Sequence, residues 1–430
     1  MASSQIYTFS LFLLFLPSLT LSQKPSQINA LVLPITKHAL NLQYVTSISQ
    51  RTPLVLIDLV VDLGSPFLWV SCDPSTYNSS SYRPTQCNST QCSSYNPKPI
   101  CSTNNTCILF SENAFTSKVS AGNLSEDVLS LQATDGLNPV SMVTLPNFLF
   151  SCAPDFLSQG LAKGAKGIAG LGWSPIGVPT QLARAFKLSR KFAICLPPST
   201  NSSGVIFLGD GPYVLLPGID ISKILIYTPL VVNPRISASR TSHSEPLHSG
   251  EYHIGVKSIR VNGKKVPLNS SLLKIDKRGF GGTKISTVNP YTTLETSIYK
   301  SVTSMIIRET MAANVSRVAA VAPFNVCFST RNNNVALTRP AMPVIDLMLQ
   351  DDLVFWRIFE TNSMVPMRDD IVCLGFLDGG MKPRTSIVIG AYQLEDNFLQ
   401  FDLIRSRLGF TSSLLLRQTS CASFNFTSGV

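Results

Sequence analysis

Charge is scarce in this sequence: only 14 % of its 430 residues are Asp, Glu, Lys or Arg. No run of five or six Lys/Arg occurs, which excludes a polybasic nucleic-acid binder. Apolar residues make up 44 %, which excludes a disordered chain, since disordered chains lack the apolar surface needed to offset the entropy of ordering. No stretch after the first 22 residues reaches 18 consecutive apolar positions, so no bilayer-spanning helix is expected. Helical periodicity is sparse too. The clearest cases are 180–186 and 296–313, the second with Ile298, Val302, Met305, Ile306 and Met311 recurring at helical spacing. Four histidines (His38, His243, His248 and His253) lack metal-ligand spacing as a set, and His248 and His253 read as surface residues of one loop. No metal and no cofactor is expected.

What is present points to export. Residues 1–22 read as a secretory signal: a short apolar core at 9–16 precedes the small residues Ser18, Thr20 and Ser22. The segment carries no Lys or Arg and is too short to span a bilayer. Ten cysteines, an even number, imply disulfides in an oxidising compartment: Cys72, Cys87, Cys92, Cys101, Cys107, Cys152, Cys195, Cys327, Cys373 and Cys421. Four of them crowd a polar loop over 73–107 that has no nearby His, which argues against zinc. Eight N-x-S/T sequons mark surface segments for glycans: Asn78, Asn88, Asn104, Asn123, Asn201, Asn269, Asn314 and Asn425. The polar stretch 234–249 reads as an exposed excursion.

Proline (28) and glycine (25) punctuate short apolar runs at 54–61, 67–71, 128–132, 148–152 and 205–208, a mostly β pattern. The runs belong to an internal repeat. VVDLGSPFLWV (60–70) is followed by GIAGLG (167–172), and TKISTVNPYTTL (283–294) by SIVIGAYQLEDNFLQFDLIRSRLGF (386–410). Asp62 lies 108 residues before Gly170, and Ser286 lies 104 before Gly390. Two such halves predict a duplicated β lobe, 23–225 and 226–430.

These motifs resemble the pepsin-like aspartic proteases, whose two β lobes each supply a D-T-G turn backed by an apolar-apolar-Gly segment. The resemblance implies an all-β, bilobal fold. It also implies a lost activity. Such proteases need two carboxylates sharing one proton. Asp62 holds the first position, but Ser286 holds the second, and a hydroxyl carries no charge near neutral pH. Val288 replaces the second glycine, Leu63 replaces the first threonine, and Asn113-Ala114-Phe115-Thr116 stands where the flap tyrosine is expected. No protease activity is expected; a residual protease is the least favoured reading.

A narrower resemblance is to the plant subgroup of inactive pepsin-like proteins that holds extracellular dermal glycoprotein, the basic 7S globulins and inhibitors of microbial endoglucanases and xylanases. It is carried by QYVTSISQRTPLVLIDLVVDLGSPFLWVSCD (43–73), GGTKISTVNPYTTLETSIYKSV (281–302), RTSIVIGAYQLEDNFLQFDL (384–403) and RQTSCASFNFTS (417–428). It implies an apoplastic, monomeric defence protein that blocks a microbial glycoside hydrolase of the family-12 endoglucanase type. A retaining enzyme of that kind carries two carboxylates about 5 Å apart, and a guanidinium suits them. By resemblance the inhibitory arginines are Arg417, four residues before Cys421, and Arg339, with Arg331 as its alternate. The same resemblance pairs Cys72 with Cys152, Cys327 with Cys373 and Cys195 with Cys421, and joins Cys87, Cys92, Cys101 and Cys107 among themselves. The alternative is a globulin of the basic 7S type that stores, or binds peptide or carbohydrate, without inhibiting.

The charge supports a partner-facing second half. Residues 23–225 hold 13 basic and 10 acidic residues; 226–430 hold 22 and 15. A basic lobe would steer toward an acidic enzyme cleft or toward acidic wall polysaccharide.

Overall fold

The computed structural model describes residues 28–73, 75–233, 250–331, 342–351, 353–368 and 370–427. The signal segment, the polar stretch 234–249 and Arg339 lie outside the described residues. The fold is mainly β and bilobal, as the repeat predicts.

Six strands join the lobes in one antiparallel sheet. In order they are Ala30–Lys37, Ser203–Gly209, Lys191–Cys195, Phe398–Asp402, Arg407–Phe410 and Ile226–Val231. The first three belong to one half of the repeat and the last three to the other, so the sheet reads symmetrically about its centre. There Ala193 faces Gln400 and Phe192 faces Phe401. The two phenyl rings stack with centroids 4.6 Å apart. The three central strands, Ser203–Gly209, Lys191–Cys195 and Phe398–Asp402, are buried on both faces, which is why they read as continuous apolar runs rather than alternating ones.

Each half also closes the same local motif. Gly167–Gly170 runs parallel to Val55–Asp62, with Gly170 opposite Asp62. Ile387–Ile389 runs parallel to Thr283–Ile285, with Ile285 opposite Ile389. The next residues on these strands are Ser286 and Gly390, so Ser286 is the counterpart of Asp62. The two glycines permit this crossing. A Cβ on Gly170 would lie 2.2 Å from the Phe67 carbonyl oxygen, and one on Gly390 would lie 2.2 Å from the Tyr291 carbonyl carbon.

The expected helices form at Val178–Phe186 and Thr296–Ala312. The first begins earlier than periodicity suggests, because Pro179 is tolerated in a helix's first turn. The second is capped by Glu295, whose carboxylate accepts the Ser297 and Ile298 N–H groups at 2.9 and 3.2 Å. Ile298, Val302, Met305 and Ile306 are buried, but Met311 is exposed and Thr310 takes the inner position. Five disulfides form: Cys72–Cys152, Cys87–Cys101, Cys92–Cys107, Cys195–Cys421 and Cys327–Cys373.

One expectation fails outright. His253 is not a surface loop residue. It lies in the strand His253–Ile254 between Val231 and Lys284, and its side chain is buried. Burial lowers its pKa, which favours the neutral ring. The sequons Asn78, Asn88, Asn104, Asn123, Asn201, Asn269 and Asn314 are exposed, while Asn425 is half-buried. Among the described residues, no helix is long and apolar enough to cross a membrane, and no three His, Cys, Asp or Glu side chains converge as a metal site.

Candidate functional site

The paired turns meet between the lobes. Asp62 ends its strand buried, and its Oδ1 accepts the Gly64 N–H at 2.7 Å. Ser286 ends the matching strand. Its hydroxyl donates to Asn289 Oδ1 at 3.0 Å and accepts the N–H groups of Val288 and Asn289 at 3.2 and 3.3 Å. Thr287 ties one turn to the other: its hydroxyl donates to the Val61 carbonyl at 2.9 Å and accepts the Leu63 N–H at 3.2 Å. The reciprocal tie is absent, because Leu63 has no hydroxyl.

Burial raises the Asp62 pKa to about 6, against the lowering effects of the Gly64 N–H and of Lys284. Glu251 and Glu112 add to the rise. Lys284 itself pairs with Glu251 at 2.6 Å. The flap is a hairpin of Cys107–Asn113 and the start of Lys118–Thr134. At its tip, Asn113 donates to the Leu157 and Gln159 carbonyls, and Phe115 packs on the cluster around Phe67 and Trp69. At the position that the repeat pairs with Asp62, the group present is the Ser286 hydroxyl, already bonded within its own turn.

Arg417 sits elsewhere, on the short 3-10 turn Leu415–Arg417. Residues 415–418 are all exposed, between buried Leu414 and Thr419. The turn closes through the Arg417 and Gln418 N–H groups, which donate to the Leu414 and Leu415 carbonyls at 2.8 and 3.1 Å. Its base is held by four independent ties. Leu414 N–H donates to the Asp396 carbonyl (2.8 Å), and Cys421 N–H donates to Asp396 Oδ1 (2.9 Å). The Thr419 hydroxyl donates to the Leu216 carbonyl (2.7 Å), and Cys421 is bonded to Cys195. Among the described residues, the Arg417 side chain makes no ion pair and no hydrogen bond. By contrast, Arg331 pairs with Asp370 at 2.6 Å.

The same frame links the lobes. Glu395, next to Asp396, accepts from Lys37 Nζ and from the Tyr44 hydroxyl, both at 2.6 Å. Burial outweighs these contacts and raises its pKa to about 7. Sequence reasoning missed Thr287, the Lys284–Glu251 pair and the Glu395–Asp396 support. Thr287 had a signal, its position beside Ser286 in the repeat. The others join residues 18 to 358 positions apart, for which a single sequence carries no cue.

Residues 44–210 match the family described as Xylanase inhibitor N-terminal, and 251–412 match Xylanase inhibitor C-terminal. A probable aspartic proteinase GIP2 of Nicotiana benthamiana is 54 % identical over 97 % of this chain and 96 % of its own. The basic 7S globulin of Glycine max is 39 % identical over 96 % of each. Among solved structures, that of edgp is similar with a TM-score of 0.89 and 52 % identity, over 93 % of this chain and 99 % of the other. Conglutin gamma, a basic 7S globulin from lupine seeds, follows with a TM-score of 0.80 and 37 % identity, over 94 % and 100 %. The chain thus belongs to the pepsin-like xylanase-inhibitor family, over both halves of its repeat.

Proposed function

We propose that this protein is a secreted, monomeric inhibitor of a microbial cell-wall glycoside hydrolase, of the family-12 endoglucanase type. The observation that carries the reading is Arg417: an exposed guanidinium on a disulfide-anchored turn, with no partner among the described residues. A bidentate guanidinium matches the carboxylate pair of a retaining glycosidase and keeps its charge at any working pH. Arg339 is the second cation of this reading; Arg331 is the weaker candidate because Asp370 already holds it. The lobes are 23–225 and 226–430, released by cleavage after a signal at 1–22, and the exposed sequons carry glycans in the apoplast. Proteolysis is not part of the function, because Ser286 rather than an aspartate stands at the position equivalent to Asp62.

The test is an inhibition assay of the purified full chain against a panel of family-11 and family-12 hydrolases, with casein hydrolysis as the control. Inhibition of at least one hydrolase, lost in Arg417→Ala and Arg339→Ala together, is the expected result. An unchanged inhibition constant in that double variant would remove the arginine mechanism.

A second reading is a storage or binding globulin of the basic 7S type. It is favoured by the 36–42 % identity, over most of their length, to gamma conglutins and basic 7S globulins. Absence of inhibition across the panel selects it.

A further inference from the structure

Arg417 does not stand alone on its turn. Leu415 and Leu416, the two residues before it, are 44 % and 67 % exposed. Leu216, 59 % exposed, lies on the neighbouring segment that is stitched to this turn. Its carbonyl accepts from the Thr419 hydroxyl, and its N–H donates to the Ser423 carbonyl at 2.8 Å. Acidic residues are few in the flanking sequence: residues 403–430 contain no Asp or Glu and 211–219 no charged residue, while Asp396 at the base of the turn is buried and accepts the Cys421 N–H. The knuckle is therefore a single cation between exposed leucines, on a base too constrained to fold them away. Leu414 is already inside the core, and Asp396, Cys421 and Thr419 fix the backbone on either side. Solvated arginines on soluble proteins do not need such a setting. Exposed leucines cost solubility, and clustered apolar surface of this kind marks a place where a partner removes water.

The shape and chemistry together select the partner. A protruding turn fits a concave groove. An arginine with apolar shoulders fits a groove whose floor carries carboxylates and whose walls are apolar or aromatic, because desolvation by the walls strengthens the charge pair. A polysaccharide-binding cleft has this composition: its aromatic walls face the apolar C–H faces of sugar rings, and its catalytic acids lie at the floor. We propose that Leu415, Leu416 and Leu216 form an apolar docking collar around Arg417. In the complex they take the place of sugar rings against the walls of the hydrolase groove while the arginine occupies its carboxylate pair. This proposal rests on the inhibitor reading above and names the further residues that give it affinity and specificity.

The experiment compares three full-length variants, Leu415→Ala/Leu416→Ala, Leu416→Asp and Arg417→Ala, against a family-12 endoglucanase inhibited by the wild type. Thermal melts check that each variant is folded, and the side chains' exposure predicts unchanged melting temperatures. The double alanine variant is expected to raise the inhibition constant about tenfold, mostly through faster dissociation. Leu416→Asp is expected to raise it further, by placing a like charge against the enzyme's acids. If both leucine variants stay within about twofold of the wild type while Arg417→Ala loses inhibition, the collar is wrong and the inhibitor reading stands. If Arg417→Ala also has no effect on an enzyme that the wild type inhibits, the collar and the role of Arg417 fall while the inhibitor reading stands; if the wild type inhibits no panel member, the inhibitor reading falls and the collar with it. A parallel sedimentation with phosphatidylcholine/phosphatidylglycerol vesicles separates the other occupant of a leucine–arginine turn. Binding to vesicles that is lost in Leu416→Asp, with inhibition intact, would reassign the collar to a lipid surface and overturn the proposal.

Discussion

The turns around Asp62 and Ser286 and the turn carrying Arg417 treat polar groups in opposite ways. At the paired turns the hydroxyls and the lysine are spent on the protein itself. Ser286 bonds to its own turn, Thr287 bonds across to Val61 and Leu63, and Lys284 bonds to Glu251. At the Arg417 turn the backbone is satisfied and the charged head is not. A buried, satisfied polar network holds a fold together; an exposed, rigidly presented and unsatisfied charge offers binding energy to something else. The paired turns thus act as a structural joint, and under the proposed function the surface that meets a partner is the Arg417 turn.

That contrast breaks most visibly at Arg417. Arg417→Ala should cost about 2–5 kcal/mol in binding to the target hydrolase, read as an inhibition constant, and leave the melting temperature unchanged. An intermediate effect is expected on the anchor. Replacing Cys195 and Cys421 together by alanine should lower the unfolding free energy by about 2–4 kcal/mol in denaturant titrations and weaken inhibition as well, since the turn loses its base.

The paired turns should show the converse, stability effects without binding effects. The raised Asp62 pKa predicts a pH slope. The folded carboxyl holds its proton up to about pH 6, whereas the unfolded one releases it near 3.8. Stability from this group is therefore greatest at low pH and falls as pH rises from about 4 to 6, by about 2–3 kcal/mol. Melting curves of Asp62→Asn should lose that part of the slope, keeping the part due to Glu395 between 4.5 and about 7. Thr287→Val should cost about 1–2 kcal/mol, because the Val61 carbonyl and Leu63 N–H lose a shared partner in the interior. The smallest effect belongs to Arg331→Ala: breaking its surface pair with Asp370 should change stability by less than about 1 kcal/mol. A loss of inhibition there comparable to Arg417→Ala would move the docking surface and break the comparison.

Much of the frame was legible beforehand. The repeat places Asp62 and Ser286 at equivalent positions, and the strands that carry them run in parallel register with Gly170 opposite Asp62 and Ile389 opposite Ile285. The helix 296–312 followed from its apolar spacing. Misreadings came where tertiary contacts override local chemistry. A histidine in a polar neighbourhood reads as surface, yet His253 is covered because its strand is sandwiched between Val231 and Lys284. Met311 is apolar but lies about 220° around the helix from Ile298, on the outer face, whereas Thr310 falls on the inner one.

The sequence by itself determined the duplicated β fold, the missing second carboxylate and the cysteine complement. These depend on residue type and on spacing along one chain, and both are written in the order of residues. Only the tertiary structure decided which polar groups are spent and which are left over. Thr287 cross-links the lobes, Glu395 joins Lys37 to the frame of a turn at the other end of the chain, and Arg417 stands exposed with no ion pair or hydrogen bond among the described residues. Each is a relation between segments that meet only after the two halves close on each other, so no local pattern encodes it.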